Sequence, residues 1–268
     1  MTVKALGKII SAVIRKGGTG KTATVYNTAA VLVRKGFRVL VIDFDGQGSL
    51  SQKYGVDRND REKKSIADML LSFINGDEID YEDYIHHTDQ GVDLIHSNNR
   101  LDAFINTLAM QTEREYVLRD AIEGLREQYD YILIDNAPAL NTLTTNAYVA
   151  SDEILMVVTP EKEAISNIID SVEIYMAARK RANPSLTFCG ILFNLVDGSV
   201  TVNNRKWEQA IVDAFPTIPV FDTAIPKSTK VREGNDRGKP IVDYDSDNRV
   251  ARAYESFVEE FLELEAAK

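Results

Sequence analysis

The stretch VIRKGGTGKTATVYN, residues 13–27, decides the fold of the chain, because it places glycines and lysines between an apolar run and a helical pattern. The pattern of a phosphate-binding loop, G-x-x-x-x-G-K-[ST], ends correctly at Gly20-Lys21-Thr22. The glycine expected five places before Gly20 is replaced by Arg15, and a second lysine, Lys16, opens the glycine run. The stretch therefore predicts a phosphate loop of a variant type.

The chemistry of such a loop follows from its backbone. Glycines let the chain wrap closely around phosphate oxygens, so that successive N–H groups and the start of the next helix face the anion. The Lys21 ammonium would reach the β- and γ-phosphates, and the Thr22 hydroxyl would ligate Mg²⁺. The alternative is a glycine-rich turn that merely contains a lysine, and the order of strand, loop and helix disfavours it. The residues predicted to bind a nucleotide are Lys16, Gly17, Gly18, Thr19, Gly20, Lys21, Thr22 and Ala23.

Around this loop, short apolar runs alternate with longer helical patterns along the 268 residues. The apolar runs are rich in Val, Ile and Leu throughout, which indicates strands buried on both faces, as in a parallel sheet covered by helices. The helical pattern after the loop ends at Gly36, a plausible helix cap. We predict an α/β fold in which residues 1–268 form a single domain, a doubly wound and mostly parallel sheet with helices on both faces. The predicted strands are KIISAVI (8–14), RVLVIDF (38–44), VDLIHS (92–97), DYILIDN (130–136), EILMVVT (153–159) and FCGILFN (188–194).

Two acidic motifs follow predicted strands. In VLVIDFDGQGSLS, Asp43 and Asp45 stand two apart at the carboxyl end of a strand, where open α/β sheets bind their ligands. One carboxylate could act on the metal shell and the other on an attacking water, although a pair of aspartates can also simply end a strand. Asp135 ends the apolar run of YDYILIDNAPALNTLT, as does the aspartate that holds Mg²⁺ through water in phosphate-loop enzymes. In series with the phosphate loop, these aspartates predict a nucleotide site that contains magnesium.

Composition and charge limit the classes of function. Hydrophobic residues make up 44% of the chain and charged residues 27%, and no apolar run approaches the roughly 18 residues that span a bilayer. The single cysteine, Cys189, excludes a disulfide within the chain and favours a cytoplasmic protein. The net charge of −10 argues against binding nucleic acid with the whole surface. The segment KSTKVREGNDRGK (227–239) nevertheless holds five basic and two acidic residues, so a local basic patch is compatible with the acidic total.

Other polar stretches are interpreted as surface rather than as sites. DRNDREKK (57–64) is a solvated loop by its charge, and YEDY (81–84) is most simply surface. His86 and His87 lie in a polar stretch without neighbouring ligands, so no metal role is expected of them.

The three motifs, in this order, resemble the ParA family of DNA-partitioning ATPases, within the MinD/ParA group of P-loop proteins that have a deviant Walker motif. Lys16 occupies the position of the lysine that opens the deviant loop. VLVIDFDGQG is similar to the family's D-x-D-P-Q-G element, and YDYILIDNAPALNTLT to its Walker B and switch II segment. SDEILMVVTPEKEAISNI and IPKSTKVREGNDRGKPIVDYD resemble two further family segments, so the likeness covers nearly the whole chain.

The resemblance implies a mechanism that depends on a homodimer. ATP and Mg²⁺ would close two subunits face to face around two nucleotides, and Lys16 would reach across to the phosphates bound by the partner subunit. Lys16, Lys21 and Asp45 are the implied catalytic residues, because Asp45 aligns with the family's water-positioning aspartate. The implied metal residues are Thr22, Asp43 and Asp135.

Two further residues are placed at the nucleotide by the resemblance alone. Asn194 lies where relatives contact adenine, and Pro226 falls in the same region at the edge of the nucleotide.

The resemblance also implies partners. The ATP-bound dimer of this family binds DNA without sequence preference, and a ParB-like centromere-binding protein stimulates hydrolysis through its basic N-terminal segment. The expected DNA contacts are Lys227, Lys230 and Arg232, and a plain solvated role is the alternative for each. Further candidates are Arg237, Lys239, Arg205 and Lys206. The expected location is the cytoplasm, in association with the nucleoid and without membrane contact.

The chain departs from the family pattern close to the predicted nucleotide. Ala23 stands where a second threonine is usual, Gly46 replaces the proline of D-x-D-P-Q-G, and Ser49 stands where asparagine is frequent. Asn136-Ala137-Pro138 replaces the common Cys-Pro-Pro of switch II. None of these changes removes a charged group required for hydrolysis, so we expect an active but slow ATPase.

Rival functions differ in what they require. A MinD-like membrane-associated positioning ATPase needs a C-terminal helix with apolar and basic faces, whereas ESFVEEFLELEAAK has five glutamates and one lysine. A relative of the nitrogenase iron protein needs paired cysteines, and a bacterial tyrosine kinase a tyrosine-rich tail. A nucleotide-gated binding module without turnover stays open. The first strand begins almost at once, so we expect no N-terminal helix-turn-helix domain and no binding to a specific operator.

Overall fold

The structure is a computed structural model that describes residues 6–57, 63–139, 141–197 and 202–268. The middle of DRNDREKK, Leu140 of the switch II segment and the side chain of Arg205 lie outside the described residues.

The described strands form one sheet, and six of the eight agree with the predicted runs to within two residues at either end. The strands are β1 (Lys8–Val13), β2 (Val39–Phe44), β3 (Ile85–His87), β4 (Asp93–Ile95), β5 (Tyr131–Asn136), β6 (Glu153–Val158), β7 (Thr187–Val196) and β8 (Ile225–Pro226). They follow the order β3-β4-β2-β5-β1-β6-β7-β8. β3 is antiparallel to β4, and the other neighbours pair in parallel. The predicted fold class, a doubly wound and mostly parallel sheet, is confirmed.

Helices cover both faces of this sheet. They are α1 (Lys21–Arg34), α2 (Ser49–Lys53), α3 (Ile66–Asn75), α4 (Arg100–Ala109), α5 (Val117–Ile122), α6 (Thr142–Ala150), α7 (Ala164–Arg181), α8 (Val202–Ala214), α9 (Lys230–Asp236), α10 (Ile241–Tyr244) and α11 (Arg249–Ala266). α1 ends two residues before Gly36, whose left-handed φ of 91° suits the glycine predicted to cap this helix. No helix in the described ranges is long and apolar enough to cross a membrane.

Side chains of the central strands alternate between two apolar cores. In β1, Ile10 packs in the core that α1 and α11 share, whereas Ile9 packs in the core built by α3, α5 and α6. Successive strand residues point to opposite faces, so a strand covered on both sides has to be apolar at every position. The continuous Val, Ile and Leu runs are therefore explained by the burial of these strands on both faces of the sheet.

The edge beyond β4 differs from the prediction. Ile85, His86 and His87 form the antiparallel edge strand β3, which the sequence pattern missed because two of its three residues are polar. Tyr84 was interpreted as surface, but it is 2% exposed and packs in the core with α3 and α5, so that interpretation is wrong for this residue.

The two histidines of β3 are also less isolated than expected. Nε2 of His86 lies 3.0 Å from Nδ1 of the buried His96, and Nδ1 of His87 lies 2.8 Å from Oδ1 of Asp93. These contacts join β3 to β4 and to the turn that follows β4, so both histidines have a structural role.

Candidate nucleotide site

The phosphate loop and both acidic motifs lie at one end of three neighbouring strands. β1 pairs with β5, and β5 pairs with β2, all in parallel. The loop leaves the carboxyl end of β1, while Asp135 and Asp43 stand opposite each other near the ends of β5 and β2. Ligands of open parallel sheets bind outside the carboxyl ends of the strands. The predicted site residues are thus brought together by the strand order, although they are far apart in the chain.

The loop has a backbone that only glycine adopts without strain at two positions. Gly18 and Gly20 have φ angles of 77° and 90°, in the left-handed region. Lys21 is 6% exposed, and its Nζ donates to the carbonyl oxygens of Ile14 and Lys16 at 3.3 and 3.2 Å. Burial lowers the pKa of Lys21, and the negative charges of Asp135 and Asp45 oppose this shift. The lysine that should hold phosphate is already oriented across the loop.

Asn194 holds the loop from the side of β7. Its Nδ2 donates to the carbonyl oxygen of Thr19 at 2.8 Å, and its Oδ1 accepts from the N–H of Leu195 at 2.9 Å. A Cβ added at Gly20 would lie 2.2 Å from this Nδ2, so the carboxamide and the glycine share one space. The structure thus places Asn194 against the phosphate loop itself. Its contact with adenine stays a prediction.

Replacing Asn194 by Ala should loosen the loop. The Thr19 carbonyl would lose its donor inside a buried region, so we expect the free energy of unfolding to fall by about 2 kcal/mol. Nucleotide affinity should fall as well, because the loop loses its fixed conformation. Chemical denaturation and titration with a fluorescent ATP analogue measure the two effects. The exposed Asn75 on α3, changed to Ala, is the control. Unchanged stability of Asn194→Ala would contradict the assigned role.

Two carboxylates face each other beneath the loop. Asp43 is fully buried and accepts hydrogen bonds from the backbone N–H and the hydroxyl of Ser51 at 2.8 and 2.7 Å. Asp135 is 1% exposed, and the Thr22 hydroxyl and the Lys21 charge favour its ionised form and so oppose the rise in its pKa. Burial raises the pKa of both carboxyl groups, and the charge of Asp43 adds to the rise at Asp135. A pair of buried acids with raised pKa values is a natural cation site.

Asp45 lies just past the end of β2, partly exposed and on the wall of the same cavity as Lys21. Its Oδ1 accepts from the backbone N–H of Gln47 at 2.9 Å, which orients the carboxylate. The neighbouring Gly46 is buried, and a Cβ there would lie 2.5 Å from the Asp102 carboxylate of α4. The Asp102 carboxylate is the end of an exposed side chain that can turn aside, so the structure gives no steric reason for the departure from proline at this position.

These residues line a cavity of about 700 Å³ over the loop. Its walls include Gly17, Gly18, Gly20, Lys21, Thr22 and Ala23 from the predicted loop. The structure adds residues that the sequence reading did not assign to the site, namely Ser49, Gln52 and Lys53 from α2 and Asn235 and Asp236 from α9. Nothing in the local sequence places α9 beside the loop, because more than two hundred residues separate them.

The donor set fits a nucleotide with magnesium. Oδ1 of Asp135 and Oγ1 of Thr19 are buried and have no hydrogen-bond partner among the described residues. The described residues contain no group of three or more His, Cys, Asp or Glu that could hold a metal unaided. Mg²⁺ usually takes one or two carboxylates and completes its shell with phosphate and water. Thr22, Asp43 and Asp135 are therefore the residues that would hold it.

Lys16 points away from this cavity toward β6. Its Nζ lies 2.5 Å from Oε1 of Glu161, and this hydrogen bond raises the pKa of Lys16. Lys16 lines a second cavity of about 340 Å³ on the other side of the loop, together with Pro160, Leu195 and Lys227. Pro226 pairs with the end of β7 next to this cavity. The role of Lys16 across a subunit interface stays a prediction.

The five basic residues of the segment 227–239 are exposed, whereas Gly234 in its middle is buried. Lys227 lines the second cavity, whereas Lys230 pairs with Glu233 at 2.6 Å and Arg232 is exposed on the same helix, α9. Of the further candidates, Lys239 and Lys206 are exposed, and the guanidinium of Arg237 lies 5.2 Å from the ring centre of Tyr244. The segment reaches the nucleotide cavity through Asn235 and Asp236 of α9, and DNA contact by its cations stays a prediction.

The fold and the site define a P-loop nucleotide-binding protein, and comparisons with known proteins give the family. The family model described as AAA domain matches residues 7–188. The sporulation initiation inhibitor protein Soj of Bacillus subtilis is 32% identical over 250 residues, which cover 93% of this chain and 96% of Soj. The chromosome partitioning protein ParA of Caulobacter vibrioides is 31% identical over 263 residues, which cover 96% of this chain and 95% of that protein.

Solved structures agree with the sequence relatives. Cobyrinic acid a,c-diamide synthase from Mycobacterium smegmatis, with bound ATP analogue and magnesium, has a TM-score of 0.81 at 27% identity, covering 95% of this chain and 93% of that one. The septum site-determining protein MinD from Pyrococcus horikoshii, complexed with Mg-ADP, has a TM-score of 0.72 at 27% identity, covering 95% and 96%. The chain belongs to the ParA/MinD family of P-loop ATPases. The resemblance inferred from the motifs and the ATPase class are confirmed.

Proposed function

We propose that the chain is an ATP-dependent DNA partition protein whose ATP-bound homodimer binds DNA without sequence preference and releases it on hydrolysis. ATP and Mg²⁺ are its cofactors, as predicted, and family structures hold an ATP analogue or ADP with magnesium. The observation that carries the proposal is the position of the basic segment 227–239, which runs from the second cavity to the wall of the nucleotide cavity. Nucleotide state and DNA contact can thus act on the same segment.

The residues of the site divide the reaction between them. Lys21 binds and orients the phosphates, and the backbone N–H groups of the loop face them. Asp45 orients the water whose oxygen attacks the terminal phosphorus, while the bond to the ADP oxygen breaks. Magnesium, when bound, neutralises charge on the phosphates and is held by Thr22, Asp43 and Asp135. Lys16 adds its charge to the nucleotide of the partner subunit, so the complete site exists only in the dimer.

The proposal includes a single domain, a cytoplasmic and nucleoid-associated location, and slow turnover that a ParB-like centromere-binding protein stimulates. Soj and ParA relatives support this reading over the membrane alternative. The final helix, α11, supports it too, because its apolar side chains Tyr254, Phe257 and Phe261 are buried in the core with α1 and do not face a membrane.

DNA retention should depend on nucleotide and on salt. With ATP, we expect binding to a non-specific duplex to weaken about 100- to 1000-fold between 50 and 200 mM salt, on the assumption that roughly four to six phosphates are contacted. With ADP, retention should be lost at all salt concentrations. Asp45→Ala should keep the DNA-bound dimer and stop turnover, which fluorescence anisotropy and a phosphate-release assay measure together.

Charge reversal in the basic segment gives a matched pair of variants. Arg232→Glu should weaken DNA binding and reduce its salt dependence, because a phosphate contact is lost. Lys180→Glu makes the same charge change at an exposed position at the end of α7 and should behave as the unmodified protein. DNA binding that ignores nucleotide, or that both variants reduce equally, would refute the partition mechanism.

A further inference from the structure

A second lysine lines the nucleotide cavity beside Lys21, and it comes from an element outside the phosphate loop. Lys53 is the last residue of α2, and it lines the cavity together with Lys21, Thr22 and Asp45 on one side and Asp236 on the other. It therefore lies between the loop and α9, the helix of the basic segment. Family motifs assign no function to this position.

The ammonium of Lys53 is poorly solvated and weakly partnered. It forms no hydrogen bond and no ion pair within 4.0 Å with any residue in the described ranges. Its Nζ lies over the ring of Tyr26, 5.7 Å from the ring centre. Burial lowers the pKa of Lys53 to about 8, while the charges of Asp135 and Asp236 attract the proton. A cation that has lost water without gaining a partner favours any anion that enters the cavity.

The backbone of Lys53 is fixed, although its ammonium is not. The Tyr26 hydroxyl donates to the Lys53 carbonyl oxygen at 3.1 Å. A Cβ on Gly238, the turn residue after α9, would lie 3.7 Å from the same oxygen, so the end of α9 packs against α2 at this point. The Gly238 carbonyl in turn accepts from Nε2 of Gln90 at 2.9 Å. The side chain of Lys53 can therefore turn toward a ligand in the cavity without movement of its own helix.

We propose that the Lys53 ammonium binds the phosphates of the nucleotide and, in doing so, turns its charge away from Asp236 of α9, which lines the same cavity, so that nucleotide binding is transmitted to α9. The proposal rests on ATP being the ligand of the cavity, and it does not depend on DNA or on dimerisation. Asp236 of the chain and the phosphates of the bound nucleotide then compete for one cation, the Lys53 ammonium. Competition of this kind is a coupling free energy between two sites, and it acts in both directions.

The first test measures nucleotide affinity of the full chain with a fluorescent ATP analogue and Mg²⁺, without DNA. Lys53→Met removes the charge and keeps the length of the side chain, and we expect affinity to fall about tenfold, the effect of one charge-assisted hydrogen bond. Lys53→Arg should stay close to the unmodified protein, because the charge is kept. Lys180→Met on α7 is the control for loss of a lysine. Equal affinity of Lys53→Met and the unmodified protein would overturn the proposal.

The second test examines the competition with Asp236 through a double-mutant cycle. Asp236→Asn is an exposed change that removes the competing charge, and it should raise nucleotide affinity several-fold. In the Lys53→Met background the same change should have no effect. An equal effect of Asp236→Asn in both backgrounds would overturn the competition, since Asp236 would then act on the phosphates directly.

A structural readout completes the test. At saturating ATP analogue, amide hydrogen exchange in α9 should increase relative to the nucleotide-free chain, and this increase should disappear in Lys53→Met. Exchange in α9 that ignores the nucleotide would refute transmission to this helix. Failure of the partition function would appear differently, as DNA retention that is independent of nucleotide, so the two proposals fail on separate measurements.

Discussion

Replacing Asp135 by Asn should stabilise the nucleotide-free protein and abolish its response to magnesium. Asp135 and Asp43 stand directly opposite each other on neighbouring strands, and both are buried. Burial and the neighbouring acid raise the pKa of Asp135, so ionising it inside the protein is costly. An amide of the same shape carries no charge, and we expect the free energy of unfolding to rise by about 2 kcal/mol.

The sign of the pH dependence follows from the same shift. A carboxyl whose pKa is raised on folding binds more protons in the folded state than in the unfolded one. Stability of the unmodified protein should therefore fall as the pH rises from about 5 to about 8, and Asp135→Asn should flatten this slope. Chemical denaturation at several pH values, with metal removed by a chelator, measures both effects.

With magnesium and ATP present, the unmodified protein should become more stable than Asp135→Asn. A bound cation needs the ionised carboxylate, so it should stabilise the unmodified protein with ATP present and leave Asp135→Asn unaffected. ATP turnover should fall by at least about 100-fold in the variant. Asp130→Asn is the control, because Asp130 pairs with Arg38 on the surface at the opposite end of β5. A variant that is less stable without metal would show that the acids do not repel each other there.

Replacing the two lysines of the loop by Ala should impair two different steps, ATP binding for Lys21 and turnover for Lys16. Lys21→Ala should weaken ATP binding about 100-fold, because Lys21 is the buried ammonium that crosses the loop toward the phosphates. Lys16→Ala should bind ATP within about threefold of the unmodified protein, since its ammonium lies at Glu161, and it should lose turnover about 100-fold.

Dimerisation distinguishes the two variants further. With ATP, Lys21→Ala should stay monomeric because it does not hold nucleotide, and Lys16→Ala should form a weakened dimer or none despite saturated nucleotide. Titration with a fluorescent ATP analogue and sedimentation analysis in parallel give the two readouts. If both variants lose ATP binding to the same extent, the role of Lys16 across the subunit interface has no support.

Much of the sheet was predictable because its central strands are buried on both faces. VLVIDF and YILIDN are apolar until their last two residues, and the structure pairs these strands side by side, with Asp43 opposite Asp135. The edges were not predictable in this way. β3 is short and polar, and β8 consists of two residues, one of them a proline, so neither has a pattern of its own. Their pairing depends on strands that are distant in sequence.

The site, like the sheet, has residues that could be predicted from the sequence and residues that could not. The loop and the aspartates could be predicted because each ends a buried strand, and the sheet order alone brings them together. Lys53 and Asp236 could not, because each lies in a helix of ordinary composition and becomes part of the cavity only when α2 and α9 pack beside the loop. Site residues at the ends of buried strands can be predicted from the local sequence. Site residues that reach the cavity only because two helices pack together cannot.

The ion pair of Lys16 with Glu161 has a consequence for the proposed dimer. Both side chains are about one-third exposed, 37% and 34%, and pairs of this kind contribute roughly 0 to 1 kcal/mol. Closure of the proposed dimer therefore exchanges one weak pair for a contact with phosphate, at little energetic cost. Before nucleotide arrives, each molecule presents a Lys16 whose charge is largely neutralised. Encounters between empty subunits should thus be brief and unselective, and the lifetime of a productive one should be set by how long ATP keeps Lys16 away from Glu161.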